Sequence, residues 1–557
     1  MNDEIDFDEF APWLVLLITL LGGFLRVLLL GAKGMWLDET FSVWMASHSV
    51  PELLQWTVKL DQHPPLYYLL LHYWIALFGD TPYYARLLSA LFGAAAIPVI
   101  YLIGKRLSGA VVGVAAAAFL AFSPFNIYFA QETRMYTLLT FNAAVAIYAL
   151  VRLLTDARAA AVPIGSQFRQ SLRAWRSGAT AEPESGGEFS YRVKPSTQSG
   201  WRAWLSRHRW SLIETDLAWA ALILFSVATL LSHNTAIFFP VAANLFVLGL
   251  MLYQRMRKSA PPPALQAPTL RNWVKAQIGV LLLWSPWLYV FIQQASRVDA
   301  QFWIPQPTWE IVAQTLRALS SSSAPTQASQ VMLWVLCAVL GLGLVYYRKK
   351  LSIFLLLATL FTLPLLGELI VSLRRPIFYD RTLIWITIPL FVVLAAGIAQ
   401  LRQRFLMIVA LGILVINYLF FIGDYHRFYQ KEDWSTPAGY VALFAEEGDL
   451  VLFNSNFVVI PFDYYFKPFE EFYSIQVEKR GIPQDLFESA VLEPTMTEDD
   501  IPALISLLHG RDRVWLVYSH DAYTDPAGIV PQTLAAQMKL TRQRDFYGGQ
   551  LHLYENP

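Results

Sequence analysis

Apolar runs of membrane length recur along this chain and decide its architecture. A helix needs roughly 17–25 apolar residues to cross about 30 Å of hydrocarbon. Runs of this kind cover 12–31, 83–104, 108–123, 135–154, 215–232, 235–253, 276–294, 329–347, 351–373, 380–400 and 405–422, about eleven crossings by length. Composition agrees, with 55% of residues hydrophobic and 15% charged, far from the averages of soluble domains. Many of the 19 Trp stand near the ends of apolar runs, as interfacial belts do. The formal net charge of +0 supplies no basic field for nucleic acid. The single cysteine, Cys337, lies in an apolar run and excludes an intramolecular disulfide and a Cys-based metal site. The first run has an acidic leader and no small-residue cleavage site, so it is expected to stay as an anchor.

Charge orients the runs. With the N-terminus inside, Lys105-Arg106, the stretch from Arg152 to Arg209, Arg255 to Lys275, Arg348-Lys349-Lys350 and Arg402 to Arg404 all fall on the inner side, as the positive-inside rule requires. The apolar piece Leu66–Phe78 carries His72 and is short. Counting it as a span would send every basic loop outside, so it reads as interfacial or re-entrant. The expected protein is a multi-pass cell-membrane protein with a cytoplasmic N-terminus.

Residues 1–423 read as the membrane domain. Its loop 155–213, rich in Ser, Gly, Ala and Arg, reads as a mostly disordered cytoplasmic insertion. The Trp175-Arg176 and Trp201-Arg202 pairs in it suit either anionic lipid or a solvated linker. Residues 424–557 have no membrane-length run; strands at 449–453, 514–518 and 550–554 alternate with helical patterns at 437–446, 497–510 and 532–539. That spacing predicts a small α/β domain, outside by the same parity.

The polar residues that need explaining gather on the predicted outer face. The loop 32–82 holds the adjacent carboxylates Asp38 and Glu39, then Asp61, His63, Tyr67 and Tyr68. Carboxylates at a membrane edge cost desolvation energy unless they are solvated or used. Gln131-Glu132-Thr133-Arg134-Met135-Tyr136 opens one span, Ser232-His233-Asn234 stands where another emerges, and Arg374-Arg375 and Tyr379-Asp380-Arg381 fill an outer turn. Arginine pairs phosphate bidentately. Taken singly these have ordinary readings: an ion pair for Glu132 and Arg134, a capping histidine for His233, snorkelling for Arg374-Arg375. Asp61 and His63 could ligate a divalent metal, or His63 could cap the chain before Pro64-Pro65. No other cofactor is suggested.

The motifs Trp36-Leu-Asp-Glu-Thr, His63-Pro-Pro-Leu-Tyr-Tyr, Arg86-Leu-Leu-Ser, Gln131-Glu-Thr-Arg-Met-Tyr and Ser232-His-Asn, in this order, resemble the GT-C fold glycosyltransferases of the protein O-mannosyltransferase and aminoarabinose-transferase type, particularly bacterial glycosyltransferase family 39-like members. The resemblance covers roughly residues 10–425, and Glu432-Asp-Trp434 with Glu447-Gly-Asp449 is similar to the exoplasmic tail of some members. It implies a polytopic GT-C membrane protein with an exoplasmic α/β domain and a polyprenyl-phosphate-linked sugar as donor. It implies transfer on the exoplasmic face to a lipid, glycan or protein acceptor, with Asp38 as general base. Glu39, His63, Tyr67, Tyr68, Glu132, Arg134, Tyr136, His233, Asn234 and Arg381 are then the candidate substrate-binding residues. Some relatives carry an Arg just after the acidic pair; Phe41 and Ser42 stand here, leaving the phosphate to Arg134, Arg381 or the Arg374 pair.

That chemistry needs a base to take the acceptor proton and donors to stabilise the departing phosphate. Direct displacement implies inversion, whether a hexosyl or a pentosyl group moves. The alternative is a transporter or lipid flippase for a glycan precursor, which calls for ionisable groups at the bilayer midplane; the charges here stand at span ends.

Overall fold

The computed structural model describes residues 7–156, 164–165, 179–183, 191–195, 214–256, 264–297, 304, 306–321, 326–474, 476–489, 491 and 493–557. Each apolar run lies on a helix. In chain order these are α1 (Phe7–Val27), then three short helices α2 (Leu37–Ser47), α3 (Val50–Lys59) and α4 (Leu66–Phe78), then α5 (Pro82–Ser108), α6 (Ala110–Phe122), α7 (Pro124–Ala130) and α8 (Tyr136–Thr155). There follow α9 (Glu214–Leu230), α10 (Phe238–Met256), α11 (Leu270–Arg297), α12 (Trp309–Ser320), α13 (Gln327–Tyr347), α14 (Leu351–Ser372), α15 (Thr387–Ala399) and α16 (Arg404–Phe428). Among the described residues nine helices are long and apolar enough to cross a membrane, or ten if α6 and α7, bent by 55° at their junction, count as one span. The remaining expected crossing, α9, has 17 residues. The chain is a multi-pass membrane protein.

The α6–α7 break has a local cause. Pro124 cannot continue the ladder of α6, and the Ser123 hydroxyl accepts from the Asn126 amide at 3.3 Å to start α7. The break strips carbonyls at the end of α6 of their helical donors, a costly state in hydrocarbon. Arg26 of α1 repairs it, donating to Ala121 and Leu120 carbonyls, each at 2.9 Å. Elsewhere helices approach through small residues, as membrane bundles do. A Cβ on Gly343 of α13 would meet the Val393 carbonyl at 2.3 Å, and one on Gly397 of α15 the Val339 carbonyl at 2.0 Å.

The two ends of the bundle differ in chemistry. At one, Arg106 donates to Thr155 at 2.7 Å, Ser108 bonds Tyr347 at 2.9 Å, and Lys350 stands over the Tyr346 ring. Basic termini of α5, α8 and α13 thus share one end. The segments 30–39, 132–134, 380–386 and 431 share the other through the contacts described below. The 13-residue α4 is half a span in length and buries Tyr67, Tyr68 and Leu71 at that second end.

Most of the loop 155–213, with Trp175-Arg176 and Trp201-Arg202, lies outside the described residues; within it, β1 (Ala179–Pro183) and β2 (Tyr191–Pro195) pair antiparallel. After α16 comes a sheet of β3 (Leu450–Phe453), β4 (Glu478–Gly481), β5 (Arg513–Tyr518), β6 (Lys539–Phe546) and β7 (Gly549–Glu555), in the order β4-β3-β5-β7-β6. β3 is parallel to β4 and β5, and β7 antiparallel to β5 and β6. Helices include α17 (Ser435–Phe444) and α18 (Val459–Tyr473). The domain sits on the second end of the bundle: the Met35 amide donates to the Tyr465 hydroxyl of α18 at 2.6 Å, and Leu37, Phe41 and Trp44 of α2 pack on its core.

Candidate active site

The sequence starts α2 at Leu37, directly after the extended Trp36, so Asp38 and Glu39 fall in the first turn, where the helix N-terminus favours carboxylates. Successive helix positions point about 100° apart, and the two side chains enter different surroundings.

Glu39 turns inward. It is fully buried. Arg86, in the second turn of α5, holds it bidentately, with Nε to Oε1 and Nη2 to Oε2 both at 2.7 Å. Lys431 adds a bond to Oε2 at 2.8 Å and the Thr133 amide one to Oε1 at 2.9 Å. Arg86 also donates to the carbonyls of Leu30, Lys33 and Gly34, which shapes the turn leading into α2. Burial raises the Glu39 pKa, but the charges of Lys431 and Arg86 outweigh it and hold it near 2. Glu132 lies in the same knot, buried, with Lys431 Nζ at 3.6 Å. Burial pushes its pKa up; Lys431 opposes this, while Glu39 and Asp38 add to it.

Asp38 turns outward. Its side chain is 23% exposed, with Arg381 Nη1 at 2.8 Å and Arg134 Nε at 4.0 Å from Oδ2. Desolvation raises its pKa, and the charges of Arg134, Arg381 and His63 overcome that to lower it. Arg134 anchors one terminal nitrogen on the Asp38 carbonyl and the Ser42 hydroxyl, each at 3.3 Å, while its buried Nε lacks a hydrogen-bond acceptor among the described residues. Arg381 reaches in from the 3₁₀ turn Asp380–Ile386, over the rings of Tyr379 and Tyr136 at 4.7 and 5.7 Å. That turn is tied to α14 by Thr382 donating to the buried Glu368 at 2.7 Å.

The second acidic motif forms the adjoining wall. His63 Nδ1 bonds Asp61 Oδ1 at 2.9 Å, and its ring meets that of His233 at 5.1 Å. His233 in turn lies 6.2 Å from Tyr136. Burial first, then the charges of His63, Arg134 and Arg381, hold the His233 pKa well below its usual value. Asp61 Oδ2 and the Tyr68 hydroxyl, both buried, face each other without a well-formed hydrogen bond among the described residues. Buried polar atoms without a well-formed hydrogen bond are rare, and among the described residues this cluster holds these two and Arg134 Nε.

The structure therefore gathers Asp38, Asp61, His63, Tyr68, Arg134, Tyr136, His233 and Arg381. Four expected substrate-binding residues stand behind them instead. Glu39 and Glu132 are enclosed in the Arg86–Lys431 knot, their burial leaving no open face. Tyr67 is buried, its hydroxyl 2.9 Å from Ser89. Asn234 spends its amide on the Gln62 carbonyl at 2.7 Å and Gln294 at 2.9 Å. Arg374 and Arg375 are exposed beyond the end of α14, with Arg375 on the Ala295 carbonyl. Among the described residues no group of three His, Cys, Asp or Glu is placed to hold a metal ion.

Sequence reasoning gave no role to Arg86, Lys431 or Gln294. Arg86 carried a signal, since a charge inside an apolar helix is expensive unless paired. Gln294, which donates to the Thr57 and Asp61 carbonyls at 3.1 and 2.9 Å, ends a span and carried little. Lys431, in a polar linker 392 residues from its partner, carried none.

Residues 62–165 match the family model described as dolichyl-phosphate-mannose-protein mannosyltransferase. No curated protein matches the chain by sequence. Solved structures do match in shape. ArnT from Cupriavidus metallidurans in the apo state is 13% identical, with 98% of both chains covered and a TM-score of 0.56. The same protein bound to undecaprenyl phosphate gives 12%, 98% of both and 0.54. Archaeal oligosaccharyltransferase AglB from Archaeoglobus fulgidus, in complex with an inhibitory peptide and a dolichol-phosphate, gives 10% identity and a TM-score of 0.50 over 98% of this chain and 74% of that one. The fold is that of the GT-C membrane glycosyltransferases.

Proposed function

We propose that this GT-C fold chain transfers a sugar from a polyprenyl phosphate to an acceptor hydroxyl, with Asp38 as general base and Arg134 and Arg381 as phosphate ligands. The observation that carries this reading is one partly exposed carboxylate held between two arginines, one with a buried unsatisfied donor, at the mouth of a membrane bundle. ArnT was solved with undecaprenyl phosphate bound and AglB with a dolichol-phosphate. A donor phosphate has its own claim on the arginines. Its arrival draws their charge from Asp38, and the carboxylate becomes more basic as the acceptor hydroxyl comes to it. Asp38 takes that proton while the hydroxyl oxygen bonds the anomeric carbon and the C–O bond to phosphate breaks. The arginines stabilise the charge growing on the leaving phosphate. One displacement inverts the anomeric centre.

In this reading the site end faces the exoplasm and the basic end the cytoplasm, as the shared location of the basic helix termini supports. The test is binding of undecaprenyl phosphate to the purified chain in nanodiscs. Arg134→Ala and Arg381→Ala should each weaken it by about 10–100-fold, the worth of a charged hydrogen bond or two. Unchanged affinity in both variants would remove the phosphate from this cleft.

A further inference from the structure

The C-terminal domain also meets the turn of α2 that carries Asp38 and Glu39: Lys431, which bonds Glu39 at 2.8 Å, directly precedes Glu432. β4 and β5 flank β3 on opposite sides, so the chain reverses direction across the sheet between β3 and β5. In parallel α/β sheets, ligands bind outside the carboxyl ends of strands at such a reversal. Here those ends are Asn454–Ser455 after β3 and Ser519–His520 after β5, fastened by Asn454 and Ser455 donating to the Ser519 carbonyl at 2.8 and 2.6 Å.

The side chains projecting there are carboxylates and rings. His520 Nε2 is 3.3 Å from Glu432, and Glu432 accepts from the Trp434 indole at 2.9 Å. The Tyr523 ring lies 6.0 Å from that of His520. Glu493 is half-buried and makes no hydrogen bond or ion pair with the described residues. Burial raises the Glu493 pKa to about 7, with His520 lowering it and Asp38 raising it.

We infer that this part of the cleft is the acceptor subsite, and that it takes an uncharged, hydroxyl-rich sugar; the inference rests on reading the cleft as a glycosyl-transfer site. The half-buried Glu493 carboxylate offers two acceptor oxygens that suit vicinal hydroxyls. Aromatic faces suit the apolar C–H face of a sugar ring. Phosphorylated headgroups are disfavoured here, because Glu432 and the ionised form of Glu493 would repel them at close range.

The experiment uses the full chain in nanodiscs, with saturation-transfer NMR of methyl α-glucoside, methyl α-mannoside and glucose 6-phosphate. Undecaprenyl phosphate binding is measured alongside. Saturable binding of a methyl glycoside is expected. Glucose 6-phosphate should bind at least about tenfold more weakly, and Glu493→Ala should lower glycoside affinity about tenfold. Glu493→Gln, which keeps shape, should narrow the gap between neutral and phosphorylated sugar. All variants should bind undecaprenyl phosphate as wild type does. Wild-type protein that binds undecaprenyl phosphate but no methyl glycoside, or prefers the phosphorylated sugar, overturns this inference alone, as do Glu493 variants with unaltered glycoside binding. Loss of undecaprenyl phosphate binding in the wild type would overturn the underlying reading.

Discussion

Asp38 and Glu39 are neighbours in sequence and opposites in circumstance. Glu39 is sealed in a knot of Arg86, Lys431 and the Thr133 amide, and the knot joins α2, α5, the 131–135 loop and the entry to the C-terminal domain. Asp38 keeps an exposed edge, and its arginines come from two loops that meet only at the cleft. Partners that satisfy a group completely make a frame; partners that leave donors over make a binding site. The structure thus divides one acidic pair into a frame member and a reacting member.

Breaking the reacting member should have the largest effect. Asp38→Asn keeps the shape and removes the proton acceptor, so the transfer rate should fall by roughly 10²–10⁴-fold. Relieving Arg134 and Arg381 of their protein counter-charge should leave undecaprenyl phosphate binding equal or tighter. Rates and binding measured on the same preparation check this. Near wild-type turnover, or loss of lipid binding together with activity, would mean Asp38 belongs to the frame.

The frame should fail differently. Arg86→Ala leaves Glu39 buried with only Lys431 as a charged partner, and breaking a buried ion pair costs about 3–5 kcal/mol. Thermal unfolding should drop markedly before any kinetic defect can be read in surviving protein. The Glu39 pKa is depressed in the folded state, so its contribution is fully present above the unfolded value near 4.5 and is lost as pH falls toward about 2. The stability gap between wild type and Arg86→Ala should therefore close over that acid range. A gap independent of pH would assign the loss to packing or to the Leu30–Gly34 carbonyls alone.

How much of this was visible in the sequence follows the range of the interactions. The spans were legible because about 30 Å of hydrocarbon imposes a length on local composition, and of the basic loops that charge parity grouped, those after α5, α8 and α13 meet at one end. The members of the cleft were legible as polar motifs at span ends. Their division was not, since nothing local distinguishes Asp38 from Glu39; the distinction comes from Arg86, 47 residues on, and Lys431, 392 residues on. In the C-terminal domain the strands 449–453, 514–518 and 550–554 correspond to β3, β5 and β7, which are central and apolar. The two edges, Glu478–Gly481 and Lys539–Phe546, escaped because edge strands carry charge instead of alternation. α18 escaped too, its Pro461 and Pro468 and dense aromatics masking a helical period.

The smallest effect should come from Glu132, and it tests how complete the frame is. Lys431 is shared between Glu39 at 2.8 Å and Glu132 at 3.6 Å, and neither Glu132 oxygen makes a well-formed hydrogen bond. Two buried carboxylates around one ammonium favour protonating the worse-placed one, in keeping with the raised pKa of Glu132. A carboxyl whose folded pKa is raised subtracts stability once pH exceeds its unfolded value, because folding must then either bury the charge or take up a proton. Glu132→Gln removes that cost while keeping shape, so at neutral pH the variant should be as stable as wild type or more stable by up to about 1 kcal/mol. The advantage should vanish below about pH 4.5, where the unfolded carboxyl is itself protonated. Thermal midpoints at pH 4 and pH 7.5 measure it. If Glu132→Gln is instead destabilised at pH 7.5, the Glu132 carboxylate is charged and Lys431 needs both acids, making the frame a three-charge cluster and not a satisfied Glu39 with a passive neighbour.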